Sequence, residues 1–348
     1  MIKKHFFIIL LCSFSFFNCS PDLTLDELLN EYETQKKAMG TVSIFKDGKE
    51  IYNNSFGLKN IEKNLKADSD TKYWIGSITK SYTATTILQL VDEKKLSLNT
   101  NLSDFFPEIT NAKSITIKQL LKHRSGLYNI TMSPNFEVWI AEPRNREQMV
   151  SKIKEFKPAF KPGEKTSYSN TNFILLSYIA EIIEKKSFKE ILNQRIFKSL
   201  NLKRTAFADT LNLTKNEAMD YYPENGKWLP ITYQTNLIGT AGAGGIISTA
   251  KEINVFYNNL LDGKLLSKEA LKEMTTPTDE LGMGLGISKY KGFLTYGHDG
   301  RIDGFRSIAV YAPEKNLSIA LTFNCSKVSM TKTLMRVFKA YQKTFENN

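Results

Sequence analysis

The sequence predicts an α+β fold: an antiparallel sheet of about five strands, built from both chain ends and flanked by helices, with an inserted and mainly helical lobe. Three observations carry that expectation. Two short β-prone runs, about Thr41 to Phe45 and Glu50 to Ser55, meet at Asp47-Gly48, a strong short-range hairpin signal. Three more, Phe293 to Gly297, Phe305 to Tyr311 and Leu317 to Asn324, crowd the last third. Between them apolar residues recur at helical spacing. One sheet made from both ends leaves the middle as a lobe beside it, with a cleft between the two.

The chain has 348 residues and 41% hydrophobic content, enough for a sizeable core. Its first residues read as a leader rather than part of the fold. Lys3 and Lys4 precede an apolar run from Phe6 to Phe17, too short to span a bilayer comfortably. The stretch Phe16-Phe17-Asn18-Cys19 resembles a bacterial lipoprotein signal, in which the cysteine becomes the lipidated N-terminus. An ordinary secretory signal and an uncut membrane anchor are the alternatives. The expected organisation is therefore a signal peptide over 1–18, a tether and helix over 19–40, and one domain over 41–348 with its helical lobe at about 100–250. That places the protein in the bacterial cell envelope, tethered to a membrane through Cys19. Cys325 then has no intramolecular disulfide partner and reads as a small buried hydrophobe. The net charge of +11 comes from scattered lysines, with no basic run interleaved with aromatics, so a nucleic-acid partner is not expected.

Further along, Thr24-Leu25-Asp26-Glu27 has the form of a capping box ahead of Leu25, Leu28, Leu29 and Tyr32 at helical spacing. A helix is predicted from Ser77 to Glu93, a short one at Ile117 to Leu121, and longer ones at Phe173 to Ile183 and Phe188 to Leu200. Pro162-Gly163 forces a turn, so Tyr168 to Asn170 falls in a loop just ahead of a helix. The run Gly239-Thr240-Ala241-Gly242-Ala243-Gly244-Gly245 fits neither a phosphate loop nor a dinucleotide fingerprint. It reads as close backbone approach, followed by a helix capped by Ser248 or Thr249. A last helix is expected from about Ser329 to Phe345.

Chemistry starts at Ser77-Ile78-Thr79-Lys80. Three residues apart on a helix, Ser77 and Lys80 rise from one face. A serine hydroxyl needs a base to take its proton, and a lysine serves only if its pKa is lowered. Taken alone, the pair reads as a capping serine beside a solvated lysine. Tyr168, Asn170 and His298 are equally plain alone: a buried tyrosine, a helix cap and a turn histidine. No His-Cys or His-Glu cluster has zinc-ligand spacing, no Gly-x-Ser-x-Gly elbow occurs, and no cofactor is expected.

Taken together they are specific. Ser77-Ile78-Thr79-Lys80, Tyr168-Ser169-Asn170 and His298-Asp299-Gly300, in this order and at about these separations, resemble the serine β-lactamase and D-alanyl-D-alanine carboxypeptidase superfamily. The chain is similar to its class C branch, which includes related esterases and aminopeptidases. Leu120 to Leu127, Lys161-Pro162-Gly163, Gly244 to Ala250 and Gly284-Leu285-Gly286 extend the likeness over about Thr41 to Cys325. The resemblance implies a β-lactamase/transpeptidase-like fold and an acyl-enzyme on Ser77. Lys80 and Tyr168 would share general-base and general-acid work, with cationic surroundings lowering the tyrosine's pKa. His298 would position substrate or relay a proton, and Asn170 would hold the substrate's amide. The backbone N–H groups of Ser77 and Arg301, beside Gly300, would form the oxyanion hole.

Dedicated class C β-lactamases resemble Lys-Thr-Gly where this chain has His298-Asp299-Gly300, which is more like the carboxypeptidases and esterases. The resemblance thus implies a peptidoglycan-peptide or small-molecule ester substrate rather than efficient antibiotic hydrolysis. Arg301 and Arg306 are candidates for a substrate carboxylate or, as readily, ordinary strand charges. His123 is assigned to holding its loop together. The rival of a different class is a catalytically silent envelope protein that keeps the fold for binding or scaffolding.

Overall fold

A computed structural model describes residues 22–208 and 210–346, so the expected leader and Cys19 lie outside the described residues. Six antiparallel strands form the main sheet, in the order Gly286–Tyr290, Phe293–Ile302, Phe305–Ala312, Leu317–Ser326, Ala38–Lys46 and Lys49–Phe56. Both chain ends meet inside it, where Thr41 pairs with Thr322 and Ile44 with Ile319. The Asp47-Gly48 turn has φ of 51° and 72°, the left-handed pair that a tight hairpin with native twist requires. The strand beyond the expected five, Gly286–Tyr290, is a partly exposed edge whose burial does not alternate.

Alternation sets the layers. Val42, Ile44, Ile319 and Leu321 join an apolar cluster with the Leu25–Thr34 and Met330–Tyr341 helices, one from each end of the chain. On the other face, Asn254 of the Ala250–Leu261 helix donates to the Ser43 carbonyl at 2.9 Å, and Asn258 to Ser318 Oγ at 2.6 Å. The helical lobe is built around Asn170–Glu184, which packs against Thr79–Asp92 and Leu237–Gly244 within the largest apolar cluster.

Three local expectations change. The strand expected to stop at Gly297 runs on to Ile302, pairing His298 with Ala309 and Gly300 with Ser307. The His-Asp-Gly motif therefore lies within a ladder rather than at a strand end. The glycine run is itself a helix, Leu237–Gly244, kinked at Ala241 (φ 6°, ψ −90°). Its close approach is nevertheless present, since a Cβ on Gly242 would stand 2.5 Å from the Phe173 carbonyl oxygen. Thr249, of the two candidates, caps the following helix, while Ser248 ends a short strand paired with Tyr73-Trp74. Finally, Ser77 stands in a 3-10 turn, Gly76–Ile78, just ahead of the regular helix Thr79–Asp92.

Candidate active site

The turn carrying Ser77 is seated on the Phe293–Ile302 strand by two glycines. A Cβ on Gly76 (φ +51°) would stand 2.8 Å from Arg301 N, and one on Gly300 only 2.0 Å from the Ile75 carbonyl oxygen. Both lie inside contact distance, so only glycine permits this approach. Ser307 Oγ adds a donor to the same Ile75 carbonyl at 2.8 Å. The Ser77 turn and the backbone of Arg301 are thereby held side by side.

Around Ser77 Oγ the expected groups converge. Lys80 Nζ lies at 2.9 Å and the Tyr168 hydroxyl at 2.8 Å. Lys80 is fully buried, donates to the Ala243 carbonyl at 2.8 Å, and has no carboxylate in salt-bridge contact among the described residues. Burial holds its pKa well below 10.5, opposed only by the charge of Asp299. A neutral amine can donate to Ala243 while its lone pair accepts the Ser77 proton. The kink at Ala241 belongs to the segment that presents the Ala243 carbonyl.

The tyrosine departs from its expected tuning. Burial, foremost, and the charge of Asp299 push the Tyr168 pKa up, with only the Ser77 hydrogen bond opposing. Because burial disfavours the protonated form of Lys80, and no cation acts on the phenol to oppose the shift, the lowering expected from cationic surroundings does not arise. Tyr168 is thus a neutral phenol, a proton donor rather than a resting base. The residue as a whole is 40% exposed although its hydroxyl meets Ser77.

His298 is pushed down to about 4, by burial first and further whenever Lys80 carries a proton, so it is a neutral imidazole near pH 7. Its Nδ1 lies against the Asp299 carbonyl oxygen, and its ring centroid is 6.3 Å from that of Tyr168. Asn170 opens the Asn170–Glu184 helix; its backbone N–H donates to Asn129 Oδ1 and its Nδ2 to Thr131 Oγ1. Ser77, Asn170 and Arg301 line one cleft of about 470 Å³. Tyr168 and His298 line an adjoining hollow of about 360 Å³.

The two arginines separate. Arg306 donates to the carbonyls of Asp303 and Phe305, and burial brings its pKa down to about 10. It is spent on its own hairpin. Arg301 is exposed in the cleft, with no ion-pair partner among the described residues.

Sequence reasoning missed the apolar wall facing Ser77, which includes Met132, Phe136, Ile140, Ile231 and Tyr233. It also missed Asn129 and Thr131, and the Ala243 carbonyl. The glycine run was the one signal pointing to that carbonyl. Among the described residues, no group of three or more His, Cys, Asp or Glu could hold a metal, and no helix is long and apolar enough to cross a membrane.

Comparisons with known proteins bear on the family and the fold. A family model described as Beta-lactamase matches residues 25–342. Protein flp of Staphylococcus aureus strain N315 is 29% identical over 325 residues, 88% of this chain. The chain spans 64% of that relative's length. Among solved structures, D-amino acid amidase from Ochrobactrum anthropi SV3 superposes with a TM-score of 0.80 at 24% identity, covering 91% of this chain and 97% of that one, a likeness of fold. A D-stereospecific amidohydrolase from a Streptomyces species superposes with a TM-score of 0.78 at 26% identity, covering 92% and 98%.

Proposed function

The chain belongs to the beta-lactamase family, and from that premise we propose that it is a serine hydrolase cleaving an amide or ester through an acyl-enzyme on Ser77. One observation carries the reading: Ser77 Oγ lies within 3 Å of both the buried Lys80 amine and the Tyr168 hydroxyl.

Lys80 Nζ takes the Ser77 proton as Oγ attacks the carbonyl carbon. The ammonium so formed keeps its bond to the Ala243 carbonyl and lies 5.0 Å from the Tyr168 ring centroid and 5.8 Å from that of Phe173. The developing oxyanion meets the backbone N–H groups of Ser77 and Arg301. Tyr168 gives its phenolic proton to the leaving nitrogen or oxygen and is reprotonated from Lys80. Neutral His298 steadies the leaving group, and Asn170 orients the substrate amide. Water, activated by the same pair, releases the acid and restores Ser77.

Candidate substrates are those of a D-alanyl-D-alanine carboxypeptidase-like peptidase or of an esterase. The D-stereospecific amidohydrolase among the similar structures favours an amide of a D-residue. Its position in the cleft beside Ser77 supports Arg301 as the partner of a substrate carboxylate. Groups this close to one another support chemistry over a silent scaffold. The test is labelling of the purified 22–348 chain by a fluorophosphonate and, separately, a fluorescent penicillin, with Ser77→Ala as control. Ser77-dependent labelling is expected; its absence with both reagents overturns the reading. Persistent penicillin labelling favours the peptidase, and fluorophosphonate labelling alone the esterase. We also propose that 1–18 directs export and that Cys19 carries lipid. Mass spectrometry of the mature N-terminus decides this, an unmodified terminus elsewhere being the contrary result.

A further inference from the structure

Tyr168 poses a mechanical problem. The residue is 40% exposed and follows a loop, yet its hydroxyl must stay within 3 Å of Ser77. That hydrogen bond cannot hold it throughout, because Ser77 Oγ becomes an ester in the acyl-enzyme. Some other contact must fix the ring.

His123 makes that contact. Its imidazole stacks on the Tyr168 ring with centroids 4.5 Å apart and planes at 29°, and leans on Phe173 at 5.1 Å. Its Nδ1 accepts the backbone N–H of Ser169, the next residue, at 3.1 Å and lies 3.4 Å from Asn172 Nδ2. Ser125 Oγ donates to Asn172 Oδ1 at 2.6 Å, tying the same loop to the helix. One side chain thus grips both the face of the tyrosine ring and the main chain just beyond it. At 3% exposure the imidazole is held well below its usual pKa, by burial first, and is uncharged. With Nδ1 occupied as an acceptor, its proton sits on Nε2. A charged ring here would stabilise tyrosinate and repel protonated Lys80; the neutral one does neither. The residue keeps this place at φ +55°, a left-handed backbone that histidine tolerates better than most side chains.

We propose that His123 is the positioning residue for Tyr168, clamping the phenol on Ser77 through ring stacking and the Ser169 N–H. The proposal rests on the Ser77 hydrolase reading for its kinetic consequence, but not for its structural one.

The experiment uses two variants. His123→Asn keeps a side chain suited to left-handed backbone and an acceptor oxygen at the δ position, but removes the stacked ring. His123→Phe keeps a ring and removes the acceptor. Each is compared with wild type in acylation kinetics, and in 19F NMR of 3-fluorotyrosine-labelled protein with the Tyr168 line assigned by Tyr168→Phe. His123→Asn should lower kcat about tenfold or more with KM within about twofold, as expected for a misplaced proton donor, and should shift or broaden the Tyr168 line. His123→Phe should recover part of the rate if it folds. An unmoved Tyr168 line in folded His123→Asn overturns the clamp, as does a kcat within about twofold of wild type. If His123→Asn does not fold, the same two criteria apply to His123→Gly, which also removes the ring and suits the left-handed backbone. If wild type itself shows no Ser77-dependent acylation, the hydrolase reading falls, while the NMR comparison, which needs no turnover, still decides the clamp.

Discussion

Replacing Lys80 by methionine tests the central electrostatic claim, that this amine is uncharged in the folded protein. In the unfolded chain Lys80 holds a proton up to about pH 10.4. In the fold it is fully buried without a carboxylate in contact, and its pKa lies well below that. Between the two values the unfolded state binds one more proton, so wild-type stability rises with pH, by about 1.4 kcal/mol per pH unit for the full proton. Going down in pH, stability is lost until the folded amine also protonates. Methionine fills a similar length of apolar slot and has no titration. It orphans the Ala243 carbonyl at a cost of about 1–3 kcal/mol, but that cost is independent of pH. Urea denaturation of both proteins at about pH 8.5 and 9.5 should therefore show the wild-type stability gaining on Lys80→Met by roughly 1 kcal/mol or slightly more. Over the same range acylation by the variant should be slower by about 10²–10⁴, or about 3–5 kcal/mol of barrier, the usual worth of a general base. Parallel stability curves would mean the amine is charged in the fold. Acylation within about threefold of wild type would remove it as the base. Either result refutes the reasoning.

Other perturbations probe the frame around that amine. Gly300→Ala should lower acylation at least about tenfold and cost about 1–3 kcal/mol in urea melts, because its Cβ would stand 2.0 Å from the Ile75 carbonyl oxygen and force the strand off the Ser77 turn; a wild-type rate would show that this contact does not place Ser77. Tyr168→Phe should stay folded, since only the hydroxyl at Ser77 is lost, and should lose about 10²-fold or more in kcat as measured by steady-state hydrolysis. Asp220 is fully buried, accepts the Gly304 N–H at 2.8 Å, and is pushed up to about 6 by burial first, with Asp303 adding. Here the folded state binds the extra proton, so stability is lost as pH rises from about 4 to about 6 and stays lost above it. Asp220→Asn should escape that loss, gaining roughly 2–3 kcal/mol on wild type between about pH 4 and 8 in denaturant titrations; no relative gain would contradict a raised pKa.

Legibility in the sequence followed the range of the forces involved. The Asp47-Gly48 hairpin and the helix cap at Thr24 were readable because their geometry is decided within four residues. The pairing of the two chain ends was readable because five apolar strand runs have few other ways to bury themselves. The edge strand Gly286–Tyr290 escaped because its backbone pairing, not its side-chain pattern, makes it a strand. The residues meeting at Ser77 were recognisable only together, as three motifs whose order and separations resemble a known superfamily.

Their protonation states were not recognisable, and Tyr168 shows why. The family resemblance implies cationic surroundings, and from that a lowered tyrosine pKa. The fold reverses the sign. Full burial of Lys80, with a carbonyl and a hydroxyl as its partners among the described residues, disfavours the cation that the inference depended on, and burial then acts on the phenol unopposed by charge. Desolvation is a sum over everything packed around a group, here contributed by residues as distant in sequence as Ala243, Phe173 and His123. No motif contains that sum. The same reasoning explains why His123 reads from sequence as loop furniture: its meaning lies in the ring stacked on it, 45 residues further along the chain. A site of this kind is therefore readable as a set of reagents long before it is readable as a reaction, and the step between the two is made by burial.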